Sequence, residues 1–354
     1  MDLGEDDLEW AAKQGLIGAE QAAPLWRALS ARAAGRAPGP SATASRFDMV
    51  HVAYYFGALI VIGAMGFFMS LGWEAFGGGG IFAIAAAYAL VFVFAGRALW
   101  RKAETKIPGG LLITMAVCMT PLAMYGLERL TGIWPDSDPG RYRDFHELVR
   151  GGWIWMELET ILAGLLALKF VRFPFLTAPI AFVLWYMSMD LAPLLFGANL
   201  EWSERGMVSA GVGAVMLAVG WLIDRRTDED YAFWIYLFGL MAFSGGLASM
   251  HSGSQLMRFA FCLVHLGLIV VAVLLERRTF LIFGALGVFG YLSYLSWDVF
   301  ADSVAFPFAL SFLGILILFV AVKYAKNRDA VDRRLLAIVP EAVKSRLPRA
   351  RARG

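Results

Sequence analysis

The sequence predicts an all-α integral membrane protein, and three observations carry that prediction. The chain is 59% hydrophobic and 17% charged, whereas soluble proteins average about 45–50% apolar and about 25% charged residues. Its apolar residues form blocks of about 20, the length that a helix needs to cross a hydrocarbon core of about 30 Å. Most lysines and arginines lie between these blocks. A backbone in lipid must satisfy its own hydrogen bonds, so we expect each block to be a helix.

We predict about ten transmembrane helices from these blocks. Each predicted segment is apolar along nearly its whole length and is bounded by polar or charged residues. The ranges are 49–71, 78–96, 108–127, 153–171, 174–196, 206–223, 231–250, 255–275, 279–298 and 303–323.

The distribution of basic residues predicts the orientation of the chain. Short loops rich in lysine and arginine stay in the cytoplasm. Such loops follow the second, fourth, sixth and eighth segments, whereas the loops after the first, fifth, seventh and ninth hold only Arg205 and Arg258. Both tails are therefore expected in the cytoplasm, with the helices forming serial in-out-in hairpins. The basic residues are Arg97, Arg101, Lys102, Lys106, Lys169, Arg172, Arg225, Arg226, Arg277 and Arg278.

The sequence predicts four regions in the chain. Residues 1–34 have helical periodicity broken at residues 15–18, which predicts a cytosolic helical hairpin. Residues 35–47 are rich in Gly, Pro and Ser and predict a flexible linker to the ten-helix domain at 48–325. The acidic start, MDLGEDDLEW, lacks the basic region of a secretory signal, so we expect no cleaved leader.

The basic tail at 326–354 is predicted to be an amphipathic helix on the membrane surface. Apolar residues recur there at four-residue steps, among many arginines. This pattern favours contact with anionic lipids of the inner leaflet, and the alternative is a solvated tail that fixes orientation. The apolar positions are Val331, Leu335, Val339, Val343 and Leu347.

The segment LEWAAKQGLIGAEQAAPLWRAL contains Trp10, a Gly15-Leu16-Ile17 turn and Glu20-Gln21 before an apolar helix. In these features it resembles the N-terminal segment of a bacterial membrane-protein family named domain of unknown function 2157. The resemblance covers roughly the first 45 residues. It implies a multi-span protein of the bacterial inner membrane with a cytosolic helical head, and it brings no catalytic residues.

Two patterns inside the apolar blocks predict how helices are arranged. The tetrapeptide Phe-Gly-Ala-Leu begins at both Phe56 and Phe283, which favours a repeated hairpin. The alternative is a chance match, because these residues are common in membrane helices. Small residues at every fourth position of 206–223 predict a face that packs closely on a neighbouring helix. These residues are Gly206, Ala210, Ala214 and Ala218.

Ionisable and phenolic side chains within the predicted spans form the candidate site. Placing a charged side chain in lipid costs about 2.5–3.5 kcal/mol on insertion scales, so we treat each such residue as a candidate functional residue. In the predicted orientation they lie toward the outer side and would form a polar chamber that binds an anionic or polar solute. The alternatives are acids solvated at the interface, a snorkelling Arg258 and a His265 that only bonds a neighbouring helix. The residues are Glu157, Tyr186, Asp190, Arg258, His265, Tyr291, Tyr294 and Asp298.

Motifs for known chemistry are absent from the sequence. It has no Walker loop and no Gly-x-Ser-x-Gly, and His146-Glu147 lacks the second histidine of a zincin helix. Cys118 and Cys262 lie within spans and have no metal-type spacing. We therefore expect no cofactor and no metal, and the basic residues lack the aromatic interleaving typical of nucleic-acid binding.

Three classes of function remain open. The favoured one is a carrier or channel for a polar or anionic solute. The alternatives are a membrane-embedded enzyme acting on a lipid or glycan, with Asp190 or Glu157 in acid or base roles, and a scaffold that recruits partners through its cytosolic head.

Overall fold

A computed structural model describes residues 76–133, 153–196, 202–250, 254–299 and 305–326 continuously, and parts of 8–26 and 52–67. The chain divides into two units, Met1–His51 and Val52–Arg351. The described residues are helical or lie in short turns, with no strand among them. The prediction of an all-helical fold is confirmed over these ranges.

In the first unit, the described residues contain a helix end followed by a new helical start. Gly15 has a φ of 71°, which glycine adopts without strain. The N–H groups of Gly15 and Leu16 donate to the carbonyls of Ala12 and Ala11, both at 3.0 Å, and together they form a Schellman ending. A 3₁₀ turn at Ala19–Gln21 follows, and the side chain of Gln21 accepts the Gly18 N–H at 3.1 Å.

The second unit is built from long helices, several of which are joined by short connections. Those fully described are α1 (Gly77–Trp100), α2 (Lys106–Cys118), α3 (Thr120–Thr131), α4 (Trp153–Phe170), α5 (Thr177–Phe196), α6 (Trp202–Arg226), α7 (Ala232–Ser249), α8 (Gln255–Leu275), α9 (Arg278–Tyr294) and α10 (Ala305–Lys326). Short 3₁₀ turns precede α2 at Ala103–Thr105 and α5 at Pro174–Leu176, and a π-helical turn at Leu295–Val299 ends α9.

Six stretches in the described part of the chain are long and apolar enough to cross a membrane. They are Gly77–Trp100, Ala103–Thr131, Ser203–Arg226, Ala232–Ser249, Gln255–Leu275 and Arg278–Trp297. The chain is therefore a multi-pass membrane protein. The predicted segments 153–171, 174–196 and 303–323 also fold as helices, α4, α5 and α10. Segment 49–71 lies mostly outside the described residues, as does the tail 326–354.

The predicted segment 108–127 folds as two helices in line, α2 and α3, rather than one. Pro121 has no N–H to donate to the carbonyl of Val117, so the regular hydrogen-bond ladder stops there. The hydroxyl of Thr120 donates to that carbonyl instead, at 2.7 Å. The stretch from Ala103 to Thr131 is also central. Of its most apolar 18 residues, 56% are buried, whereas the corresponding share in α1 is 17%.

Glycines bring the antiparallel partners close together. A Cβ on Gly96 of α1 would lie 3.0 Å from the carbonyl oxygen of Gly109 in α2. A Cβ on Gly206 of α6 would lie 2.7 Å from the carbonyl oxygen of Gly246 in α7. Such distances are shorter than normal contacts, so only glycine lets these backbones approach so closely. The pairs α1 with α2–α3, α6 with α7 and α8 with α9 are therefore tight hairpins.

The small-residue face predicted on α6 is correct at its start and wrong further along. Gly206 and Ala210 touch α7, whereas Ala214 and Ala218 are exposed. A four-residue step turns a helix by about 40° more than a full turn, so the predicted stripe drifts away from the partner. The real contact face continues through Gly213, Leu217 and Gly220.

An ion-pair network joins the end of α6 and the connection after it to the connection between α8 and α9. The guanidinium of Arg277 donates from Nε to Asp224 at 3.1 Å and from another nitrogen to Asp230 at 2.8 Å, and it also pairs with the second oxygen of Asp224. The Asp224 side chain is 2% exposed and that of Asp230 44%. Burial lowers the pKa of Arg277, but its hydrogen bonds and the two carboxylate charges outweigh burial, so this pKa is raised.

Candidate polar site on helices α8 and α9

Helices α8 and α9 form the hairpin that holds four of the eight predicted site residues, Arg258, His265, Tyr291 and Tyr294. A Cβ on Gly284 would lie 2.8 Å from the carbonyl oxygen of His265. Gly287, one turn further along α9, faces the imidazole ring of His265, which a methyl group there would overlap. These two glycines therefore allow α9 to lie directly against the His265 face of α8. Because the helices are antiparallel, the start of α8 and the end of α9 meet at one end of the pair.

A basic and aromatic cluster lies at that end. The guanidinium carbon of Arg258 is 3.8 Å from the ring centroid of Tyr294, which is a close cation–π contact. The side-chain amide of Gln255 donates to the hydroxyl of Tyr294. The ring of Tyr291 lies 6.3 Å from the rings of both Tyr294 and Phe259. Arg258 is half-buried, so its side chain is folded onto α9.

His265 lies deeper in the same face of α8. It is fully buried and follows Arg258 by seven residues, about 10 Å along the helix axis. Its Nδ1 lies 2.8 Å from the carbonyl oxygen of Phe261. A carbonyl can only accept a hydrogen bond, so Nδ1 carries a hydrogen in this geometry and Nε2 is the basic nitrogen. The ring also packs on that of Phe261, at a centroid distance of 4.0 Å.

The predicted residues Glu157 and Tyr186 belong to another helix pair. Glu157 is 4% exposed, on the face of α4 that also buries Met156 and Thr160. Tyr186 of α5 packs on Trp153 at a centroid distance of 5.6 Å, and Trp153 is one turn before Glu157. The structure therefore groups these two residues on α4 and α5, and the basic cluster with His265 on α8 and α9.

Two predicted site residues cannot be placed in either group. Asp190 lies within the helical range of α5, and Asp298 within the π-helical turn after α9. Their side chains lie outside the described part of the structure. The predicted convergence of Asp190 with Arg258 and His265 stays a prediction.

The structure adds a buried acid that the sequence did not single out. Glu128 is 2% exposed in α3, and neither of its carboxyl oxygens accepts a hydrogen bond from the described residues. In the sequence it precedes Arg129 at the end of an apolar run, a pattern typical of a solvated interface. Only the packing of α3 against α1 and α4 reveals that Glu128 is buried.

The α8–α9 cluster can bind an anion and exchange a proton. The guanidinium group of arginine is planar, so its N–H donors can meet an oxyanion in pairs, and stacking on an aromatic ring fixes the orientation of that plane. The basic nitrogen of His265 can accept a proton. Within the described residues, no group of three His, Cys, Asp or Glu side chains could hold a metal ion.

Comparisons with models of known protein families, with curated proteins and with solved structures found no match to this chain.

Proposed function

We propose that this chain is a carrier or channel for a polar or anionic solute, and that the α8–α9 cluster is where the solute binds. One observation carries the proposal: the side chain of Arg258, in a helix long enough to cross the membrane, lies on the ring of Tyr294. Further along the same helix, His265 is buried. Ionisable groups in such helices are costly to insert into lipid, so a buried or half-buried one is a functional hypothesis by default. The solute would be an anion or a polar molecule with an acidic group.

In this proposal the residues have distinct roles. Arg258 supplies the positive charge and paired N–H donors, and the ring of Tyr294, whose hydroxyl accepts a hydrogen bond from Gln255, holds the Arg258 side chain in place. The Nε2 atom of His265 takes up a proton as the solute passes inward. The buried carboxyl groups of Glu128 and Glu157 offer further proton-binding positions inside the membrane.

The proposal includes an arrangement in the membrane. About ten helices cross a bacterial inner membrane as serial in-out-in hairpins, both termini are cytoplasmic, and the α8–α9 cluster faces outward. The basic loops at residues 97–106 and 225–226 support this orientation. The tail from residue 326 would lie on anionic inner-leaflet lipids. Membership of the domain of unknown function 2157 family, which residues 8–29 resemble, is part of the same proposal.

A membrane-embedded enzyme acting on a lipid or glycan is the second candidate. The burial of Glu157 favours it, because a carboxyl group removed from water is suited to general acid or base chemistry. Such an enzyme would change the chemical structure of its substrate. A carrier changes only the side of the membrane on which the substrate lies.

Metabolite and lipid profiling of a strain that lacks the gene tests the proposal. We expect an unmodified solute to accumulate on one side of the membrane, and the wild-type gene to reverse this, whereas Arg258→Gln would not. Arg129→Gln is the matched control, because Arg129 also lies over a tyrosine ring, that of Tyr125 at 6.0 Å, but outside the α8–α9 cluster. Accumulation of an unprocessed lipid or glycan would instead support the enzyme. The absence of any chemical change, or full rescue by Arg258→Gln, would contradict the carrier.

A further inference from the structure

A groove with a cavity of 460 Å³ lies between α1 and α4, over the surface of α2. This volume is within the range of about 300–1,000 Å³ that is typical of ligand sites. Its walls are apolar apart from Thr120 and one charged end, which Arg97 in the last turn of α1 and Arg101 directly after that helix line. The groove belongs to helices other than α8 and α9, so its role is independent of the proposed solute site.

The dimensions of the groove match one leaflet of a bilayer. Along α1 it extends from Ala89 to Arg101, about 18 Å at 1.5 Å per residue. One leaflet contributes about half of a hydrocarbon core of about 30 Å. An acyl chain in the groove would therefore lie parallel to the lipids around it, with its headgroup at the arginine end.

The charge at that end selects the headgroup. Arg97 and Arg101 are four residues apart and so lie on one face of α1. Both are exposed, and neither forms an ion pair with the described residues. Two more basic residues follow, Lys102 in the connection and Lys106 at the start of α2, and the one acid between them is Glu104. Guanidinium groups bind phosphate oxygens in pairs, and basic pockets between membrane helices bind anionic headgroups.

We propose that this groove is a binding site for an anionic phospholipid of the cytoplasmic leaflet. One acyl chain lies along α2 between α1 and α4, and the phosphate is held by Arg97 and Arg101. The small side chains of Ala116, Ala163 and Ala167 leave the space that the chain fills. The predicted orientation places the arginine end of α1 in the cytoplasm, where anionic lipids concentrate.

Native mass spectrometry of the full chain tests the proposal. The protein would be released from nanodiscs holding equal amounts of phosphatidylglycerol and phosphatidylcholine with identical acyl chains. Two arginines near an anionic headgroup correspond to a preference of about thirtyfold for the anionic lipid. We expect the wild type to retain phosphatidylglycerol with this preference, and Arg97→Gln/Arg101→Gln to lose it. The matched control is Arg226→Gln/Arg278→Gln, which removes two exposed arginines outside the groove.

A second pair of variants tests the groove itself and does not depend on charge. Ala163→Trp fills the cavity and should reduce the retained lipid, whereas Ala214→Trp on the exposed face of α6 should leave it unchanged. Equal retention of the two lipids by the wild type would overturn the proposal. So would unchanged retention in the Arg97/Arg101 or Ala163 variant, or an equal loss in the controls. A retained fatty acid, identified by its mass, would also overturn a phospholipid as the occupant.

Discussion

Replacing Gly287 by alanine tests whether α9 lies against His265 as described. The added methyl group would overlap the imidazole ring. That ring is fully buried and fixed by its contacts with Phe261, so it has little room to retreat. Overpacking a filled interior costs about 1–3 kcal/mol. We expect this cost to offset the gain in helix propensity that alanine brings, so that Gly287→Ala is less stable than the same change at a position without overlap by about 1–3 kcal/mol.

Gly290→Ala provides a matched control on the same helix. A Cβ at Gly290 has no atom within 4 Å. Alanine favours a helix over glycine by about 0.5–1 kcal/mol, and this gain applies equally at both positions. It therefore cancels when the two variants are compared, and the difference of about 1–3 kcal/mol measures the overlap alone.

The assay is equilibrium unfolding of the purified full chain in mixed micelles, followed by tryptophan fluorescence. A third measurement places Gly287→Ala in a His265→Ala background, where the removed ring leaves space for the methyl group. There the overlap cost should fall toward zero, so that Gly287→Ala changes stability as Gly290→Ala does. Equal stability of the Gly287→Ala and Gly290→Ala variants, or an unchanged cost without the imidazole, would refute the described packing.

Three further predictions concern other parts of the chain. Asp224→Asn breaks a buried ion pair and should lower the free energy of unfolding by about 3–5 kcal/mol. Asp230→Asn changes a side chain that is 44% exposed and should lower it by at most about 1 kcal/mol. Equilibrium unfolding of both variants measures this difference. Burial raises the pKa of Tyr231 from 10.0 to about 12. The contribution of the neutral Tyr231 to stability is therefore complete below pH 10 and is lost as pH rises toward 12. The difference between the absorbance titrations of the wild type and of Tyr231→Phe should show the tyrosinate forming near pH 12. In a background without native cysteines, Gly79→Cys and Ser137→Cys should react with an impermeant thiol reagent added outside, and protection of both would reverse the proposed orientation.

Much of the fold could be predicted from hydrophobicity alone. The segments 78–96, 206–223, 231–250, 255–275 and 279–298 coincide with membrane-length helices. The segment at 153–171 is a helix as predicted, but Glu157, Glu159 and Lys169 make it less apolar than those. The break between α2 and α3 was visible as Pro121, a residue that interrupts the ladder of hydrogen bonds.

The candidate site could be predicted only in part. Helical spacing placed Arg258 and His265 on one face of α8, and the structure adds Tyr294 of α9 as the partner of Arg258. Spacing within a helix shows which side chains share a face, but it does not show which other helix meets that face. Glu157 lies on α4, and Tyr186 of α5 packs on Trp153 of that helix; that these two residues share a chamber with Arg258 and His265 stays a prediction.

The sequence by itself determined that this chain is helical and crosses a membrane, because both follow from local composition. In lipid, a backbone without water must bond within its own segment, so a long apolar run has only one stable structure. The tertiary structure alone decided which faces meet. Lipid is as apolar as the helix surfaces, so hydrophobicity does not distinguish an inner face from an outer one. Specific contacts distinguish the inner face from the outer face instead. Examples are the close packing of Gly287 on His265 and the ion pair of Asp224 with Arg277, which are 53 residues apart in the sequence.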